Sequence, residues 1–219
     1  SAGPLAGVKV IELGTLIAGP LCARMLADFG AEVIKIEAPE GGDQIRGWRK
    51  MYDGTSLWWY VQARNKKSVT LNLRAPEGQQ IVRSLARDAD IVVENFRPGA
   101  LEKWNIGWPQ LSALNPKLVM VRLSGFGQDG PYRDRPGFGV VAEAMGGMRY
   151  VTGYPDRPPV RMGISIGDSI AAHYGAIGAL VALHHRKVNG GSGQMVDLAL
   201  YEAVFSVMET LVAEIVVVG

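Results

Sequence analysis

The feature that most narrows the fold is a steady alternation of short apolar runs with longer stretches of helical spacing. Val8–Leu13, Val33–Ile36, Ile91–Glu94, Leu118–Leu123 and Met195–Leu200 are dominated by Val, Ile and Leu, and Ser68–Leu73 alternates. Near-continuous apolar runs of this kind belong to strands covered on both faces, as in a parallel sheet. Between them lie helical stretches. One follows Ala18-Gly19-Pro20, with Leu21, Met25 and Leu26 on one face and Gly30 as its stop. A second runs from Pro76 towards Arg87, short pieces surround Leu101 and Leu111, and longer ones span Ile170–Lys187 and Tyr201–Val212. Residues 38–66, with Trp48, Trp58 and Trp59, read as a long loop region. Parallel strands need crossover connections, so the alternation predicts an α/β fold with a doubly wound, mostly parallel sheet.

Charge and cysteine usage narrow the function. The 219 residues carry 23 basic and 21 acidic side chains, a net charge of +2 with no basic run and no acidic tail. Nucleic acid is therefore not expected as a partner, and any anion site must come from a few placed residues. Cys22, the single cysteine, excludes an intrachain disulfide. Ser1 to Gly7 has neither the basic flank nor the apolar core of a signal peptide. The apolar stretches read as broken short of a bilayer span, so no membrane is expected, and the compartment expected is the cytoplasm. The closing Ile215-Val216-Val217-Val218-Gly219 is apolar and uncapped, and reads as a chain cut inside a longer polypeptide.

Gly125-Phe126-Gly127-Gln128-Asp129-Gly130 spells G-x-G-x-x-G after a predicted strand. A dinucleotide site also needs a helix starting within the motif, and Pro131-Tyr132-Arg133-Asp134-Arg135-Pro136-Gly137 cannot supply one. His173, His184 and His185 lack ligands at metal spacing, so no metal is expected. No serine elbow is expected to support a Ser-His-Asp triad. Asp168, in Gly167-Asp168-Ser169 just before the long helix, reads as an N-cap. The same position favours an ionised carboxylate, and its small neighbours leave room for a ligand, so cap and nucleophile both stay open. Asn95-Phe96-Arg97-Pro98-Gly99 lies past the carboxyl end of a strand, where open α/β sheets bind ligands. Lys66, Lys67, Arg74 and Lys103 read individually as solvated charges.

Several stretches occur in one order along the chain: Pro4-Leu5-Ala6-Gly7-Val8, Ala18-Gly19-Pro20, Leu26–Glu37, Gly42-Asp43, Arg64–Ser68, Glu94–Gly99, Leu123–Gly127 and Gly167-Asp168-Ser169. Together they resemble the class III CoA-transferase family, with its Rossmann-like large domain. The resemblance implies that Asp168 is the catalytic aspartate, which carries the acyl group and then CoA as an aspartyl-CoA thioester. It implies CoA contacts at Ala18, Leu71, Arg74, Asn95, Phe96, Lys103 and Trp104, and an acyl pocket near Thr15, Ile17, Trp48 and Phe138. CoA or acyl-CoA would be a substrate, with no permanently bound cofactor, and a carboxylic acid would be the acceptor. Family members are longer and form interlocked homodimers. Residues 1–219 would then be the N-terminal part of the large domain, without the small domain, the C-terminal return segment or the glycine-rich loop over the aspartate.

Two departures bear on activity. Ala38 stands where relatives have a basic CoA contact. Phe138 stands where racemases of this fold use a proton-exchanging histidine, which disfavours an acyl-CoA racemase or epimerase. A non-catalytic nucleotide-binding module is the remaining alternative. The pocket residues suggest an acceptor larger than oxalate and a donor such as succinyl-CoA, with Arg46, Arg157 and Arg161 as possible carboxylate partners.

Overall fold

The computed structural model describes residues 3–219; Ser1 and Ala2, the start of the segment read above for a signal peptide, lie outside the described residues. In chain order the elements are β1 (Lys9–Glu12), α1 (Ala18–Asp28), β2 (Glu32–Glu37), β3 (Met51–Tyr52), β4 (Thr55–Ser56), α2 (Leu57–Ala63), β5 (Lys66–Thr70) and α3 (Pro76–Ala86). They continue with β6 (Ile91–Glu94), α4 (Ala100–Lys103), α5 (Trp108–Leu114), β7 (Val119–Ser124), α6 (Gly139–Met145), α7 (Ile166–Val188), β8 (Met195–Ala199), α8 (Leu200–Phe205) and α9 (Leu211–Val217).

Six strands form one sheet in the order β5-β2-β1-β6-β7-β8, and every neighbouring pair is parallel. The chain winds outward from β1 in one direction, then returns to β6 and winds in the other. This doubly wound order puts its switch point between β1 and β6, where a crevice opens beyond the strand ends.

Alternate strand residues feed two apolar layers. Val10, Val93 and Val121 face α1 and α7, whereas Ile11, Val92 and Met120 face α3 and α5. On the first face small residues set the spacing: a Cβ added to Gly175 would come within 3.2 Å of Cys22 Sγ and 3.3 Å of Leu123. Cys22 itself is fully buried, and that burial pushes its thiol up to about 12, so it serves as a small core residue.

Several expectations need correction. The segment read as loop holds a short 3-10 turn at Gln44–Gly47, the β3–β4 hairpin and α2. The long helix starts at Ile166, so Asp168 lies inside its first turn and Ser165 takes the cap position. The final helix is two, α8 and α9. At 23 residues, α7 is long and apolar enough to cross a bilayer by length and composition, contrary to the reading of broken apolar stretches. Its Ala171, Ala172, Ala176 and Ala179 are buried in the sheet-facing layer, the packing of a core helix.

Candidate active site

The site grows from the two loops at the switch point. After β1 the chain turns through Gly14, Thr15 and Leu16 into α1, and after β6 it turns at Asn95. Asn95 joins them: its Oδ1 accepts from Thr15 N–H at 2.7 Å, and its Nδ2 donates to the Thr15 carbonyl at 2.8 Å. The amide fits because the chain is thin here. A Cβ on Gly14 or Gly19 would meet Asn95 Oδ1 at 3.0 or 3.1 Å. Leu16 sits in the left-handed region at φ 63°, held by its N–H donating to both Asp43 carboxylate oxygens at 3.0 and 3.2 Å.

Beneath these loops lies a layer of buried charge. Lys35 Nζ meets Glu12 and Asp43 at 2.8 Å each and donates to the Gly14 carbonyl at 2.9 Å. Lys66 Nζ meets the other Glu12 oxygen at 2.6 Å. Burial works against the Lys35 charge, but Glu12 and Asp43 outweigh it and hold the ammonium above its ordinary value. For Lys66 burial wins and its value falls. Its side chain is only 1% exposed, which corrects the reading of Lys66 as a solvated charge. Under the second loop, Arg122 binds Glu94 at 2.6 Å and Glu102 at 2.7 Å, while Glu94 accepts from Phe96 N–H at 2.7 Å.

Three adjoining cavities of about 460, 350 and 640 Å³ follow the crevice. The first holds Asp168 together with Thr15, Ile17, Ala18 and Trp48. Asn95, Phe96 and Phe138 also line it. The second holds Lys103 and Trp104 with Arg97 and Arg133. The third holds Leu71 and Arg74, and meets the others at Phe96 and Trp104, whose rings pack edge to face at 5.2 Å. All twelve residues singled out from the sequence thus line one branched groove.

Asp168 reaches the first cavity from the opening turn of α7. It packs so tightly on Gly139 that a Cβ there would collide with Oδ2. Burial, then the neighbouring Glu143 charge, push its carboxyl up to about 6, against its own backbone N–H and Arg161. This corrects the expectation that the helix start would dominate: burial and a like charge outweigh it. The group is still mostly ionised at neutral pH.

Sequence reasoning missed Glu143. It is fully buried in α6, and neither carboxylate oxygen finds a hydrogen-bond donor among the described residues. Arg149 and Arg161 approach one oxygen at 3.9 and 4.0 Å. Its signal was a lone acid within Val140-Val141-Ala142-Glu143-Ala144-Met145. Also missed was Gly163-Ile164-Ser165-Ile166-Gly167, which does spell G-x-S-x-G, contrary to the expectation of no such elbow. No strand leads directly into Ser165, and the His173 ring contacts the Ser169 carbonyl, so among the described residues the segment builds no triad. After the glycine motif at 125–130, the next helix begins only at Gly139. Among the described residues no three His, Cys, Asp or Glu side chains gather as a metal requires.

The sequence profile of CoA-transferase family III matches residues 5–218. The chain belongs to this family. It is 58% identical over 217 residues to succinyl-CoA–D-citramalate CoA-transferase of Chloroflexus aurantiacus, covering 99% of this chain and 54% of that protein. It is 49% identical over 211 residues to the succinyl-CoA–L-malate CoA-transferase beta subunit of the same organism, covering 95% and 52%. The crystal structure of a CaiB/BaiF family protein from Brucella suis superposes with a TM-score of 0.94 at 36% identity, covering all of this chain and 59% of that one. This family III chain therefore spans about half the length of the curated relatives it matches.

Proposed function

We propose that the chain carries the nucleophile and CoA groove of a CoA-transferase that moves CoA from an acyl-CoA, succinyl-CoA foremost, to a carboxylic acid. One observation carries this: Asp168 lines the same cavity as Asn95 and Phe96. Relatives named for succinyl-CoA-dependent transfer support the donor.

In this reaction an Asp168 oxygen attacks the thioester carbonyl, and the C–S bond breaks to give a mixed anhydride and CoA thiolate. The thiolate then attacks the aspartyl carbonyl, releasing the donor acid and leaving an aspartyl-CoA thioester. The acceptor carboxylate attacks that thioester, expelling thiolate, which takes the acceptor acyl group and restores Asp168. The first turn of α1, at Ala18, lines the cavity and would offer N–H groups to the oxyanions. Arg97, Lys103 and Arg133, with Arg74 in the adjoining cavity, would take the CoA phosphates. CoA is consumed and re-formed as substrate, with no resident cofactor. A cytoplasmic, interlocked homodimer belongs to the same proposal.

The test is to incubate the complete protein with succinyl-CoA and hydroxylamine, then map the modified residue. A hydroxamate at Asp168, lost in Asp168→Ala, is expected. Bound CoA with no modification at Asp168 would reject the mechanism. Exchange of an α-proton with deuterated water, needing no acceptor acid, would point to racemisation instead. Phe138 lines the cavity but has no proton to exchange, which counts against that chemistry.

A further inference from the structure

We infer that Arg161 binds the distal carboxylate of a dicarboxylic acyl group, so that this site selects dicarboxylic donors and acceptors over monocarboxylic ones of equal length. The inference rests on the proposed transfer at Asp168 and adds the residue that reads the acid.

The arginines offered by the sequence separate in the structure. Arg46 is spent: it grips Glu37 with two hydrogen bonds of 2.8 Å and lies 3.6 Å over the Trp59 ring. Arg157 lies over Tyr154, outside the cavities that hold Asp168 and the CoA-contact residues. Arg161 lines the cavity that holds Asp168.

The other cations of that cavity have different duties. Arg97 and Arg133 also line the Lys103 cavity, which puts them on the side assigned to phosphate. Arg135 stacks over Tyr132 at 4.1 Å. Arg161 is close enough to Asp168 for its charge to favour the ionised carboxyl, and its side chain is 50% exposed. Its ionic partner is Glu143, met by Nε only at 4.0 Å. Glu143 also has Arg149 at 3.9 Å, so Arg161 can turn its planar fork towards a ligand without leaving that buried carboxylate uncompensated.

Electrostatics requires such a cation. Acylation neutralises Asp168, but Glu143 stays buried beside it with no hydrogen-bond donor on either carboxylate oxygen among the described residues. A succinyl group attached at Asp168 would bring a further carboxylate, which is unfavourable unless it is paired. A butyryl group of the same length brings none. Since donor and acceptor pass through the same anhydride at Asp168, the same guanidinium would read both.

The test compares succinyl-CoA with butyryl-CoA as donors to one acceptor, using the complete protein. In Arg161→Met the ratio of kcat/KM for succinyl over butyryl is expected to fall about a hundredfold. Arg161→Lys keeps the charge without the fork and is expected to lose about tenfold, which also covers a methionine variant that fails to fold. Arg133→Met is expected to weaken both donors alike. Equal losses for both donors in the Arg161 variants, or an unaltered ratio, would overturn the inference while leaving transfer intact. A wild-type protein that transfers CoA from neither donor would overturn the transfer proposal and this inference together.

Discussion

The Asp168 carboxylate sits between opposing fields. The start of α7 and Arg161 favour its charge, whereas burial and Glu143 disfavour it and prevail, raising its carboxyl to about 6. The proposed transfer needs Asp168 ionised, so kcat/KM is expected to rise with pH through that region and to fall away below it. Glu143→Gln removes the like charge, so the acid limb should move to lower pH and leave more activity at about pH 5. A pH–rate profile checks this, and a limb that stays in place would show that burial alone sets the value. Asp168 was legible because it stood among small residues before a helix. Its proton affinity was not, because Glu143 lies 25 residues away in sequence and only packing brings it near.

At the scale of elements, the groove depends on buried ions beneath two loops. Glu12, at the end of β1, pairs one oxygen with Lys35 of β2 and the other with Lys66 of β5, both side chains buried. Glu12→Gln leaves those ammonium groups with Asp43 as their remaining carboxylate. Breaking a buried pair in this way is expected to cost about 3–5 kcal/mol in chemical denaturation, with matching loss of CoA binding as the Thr15 loop loosens. A loss below about 1 kcal/mol, the scale of a surface pair, would mean that water reaches the site. The strands could be read because each is a local apolar run. Lys66 could not, because Asn65-Lys66-Lys67-Ser68 looks solvated until β5 lies beside β2 and Lys66 reaches past it to Glu12. Helix α2 was hidden by its aromatic Leu57-Trp58-Trp59-Tyr60 start. Its one sequence signal is Ser56, whose hydroxyl accepts from Trp58 N–H at 3.0 Å.

For the whole molecule, apolar surface is the unbalanced quantity. Ile215, Val216 and Val217 of α9 are 69%, 77% and 80% exposed, and no residue of that helix is buried. Apolar surface of this kind calls for cover, from the rest of a longer chain or from a partner subunit. The complete protein is expected to sediment as a dimer that persists on dilution, and to protect the α9 amides from hydrogen exchange. A monomer with freely exchanging α9 amides would remove the homodimer from the proposal.

By itself, the sequence determined the strands, most helices, the doubly wound class and the family, because apolar periodicity and ordered short motifs are local in the chain. It also marked Asp168 and Asn95, each announced by neighbours a few residues away. Tertiary structure alone decided what those groups experience: the two-sided grip of Asn95 on Thr15, the buried charges under the groove, and the company of Glu143 and Arg161 around Asp168. Charges act through space and in proportion to how completely water has been excluded, and neither distance nor dryness is written in sequence order.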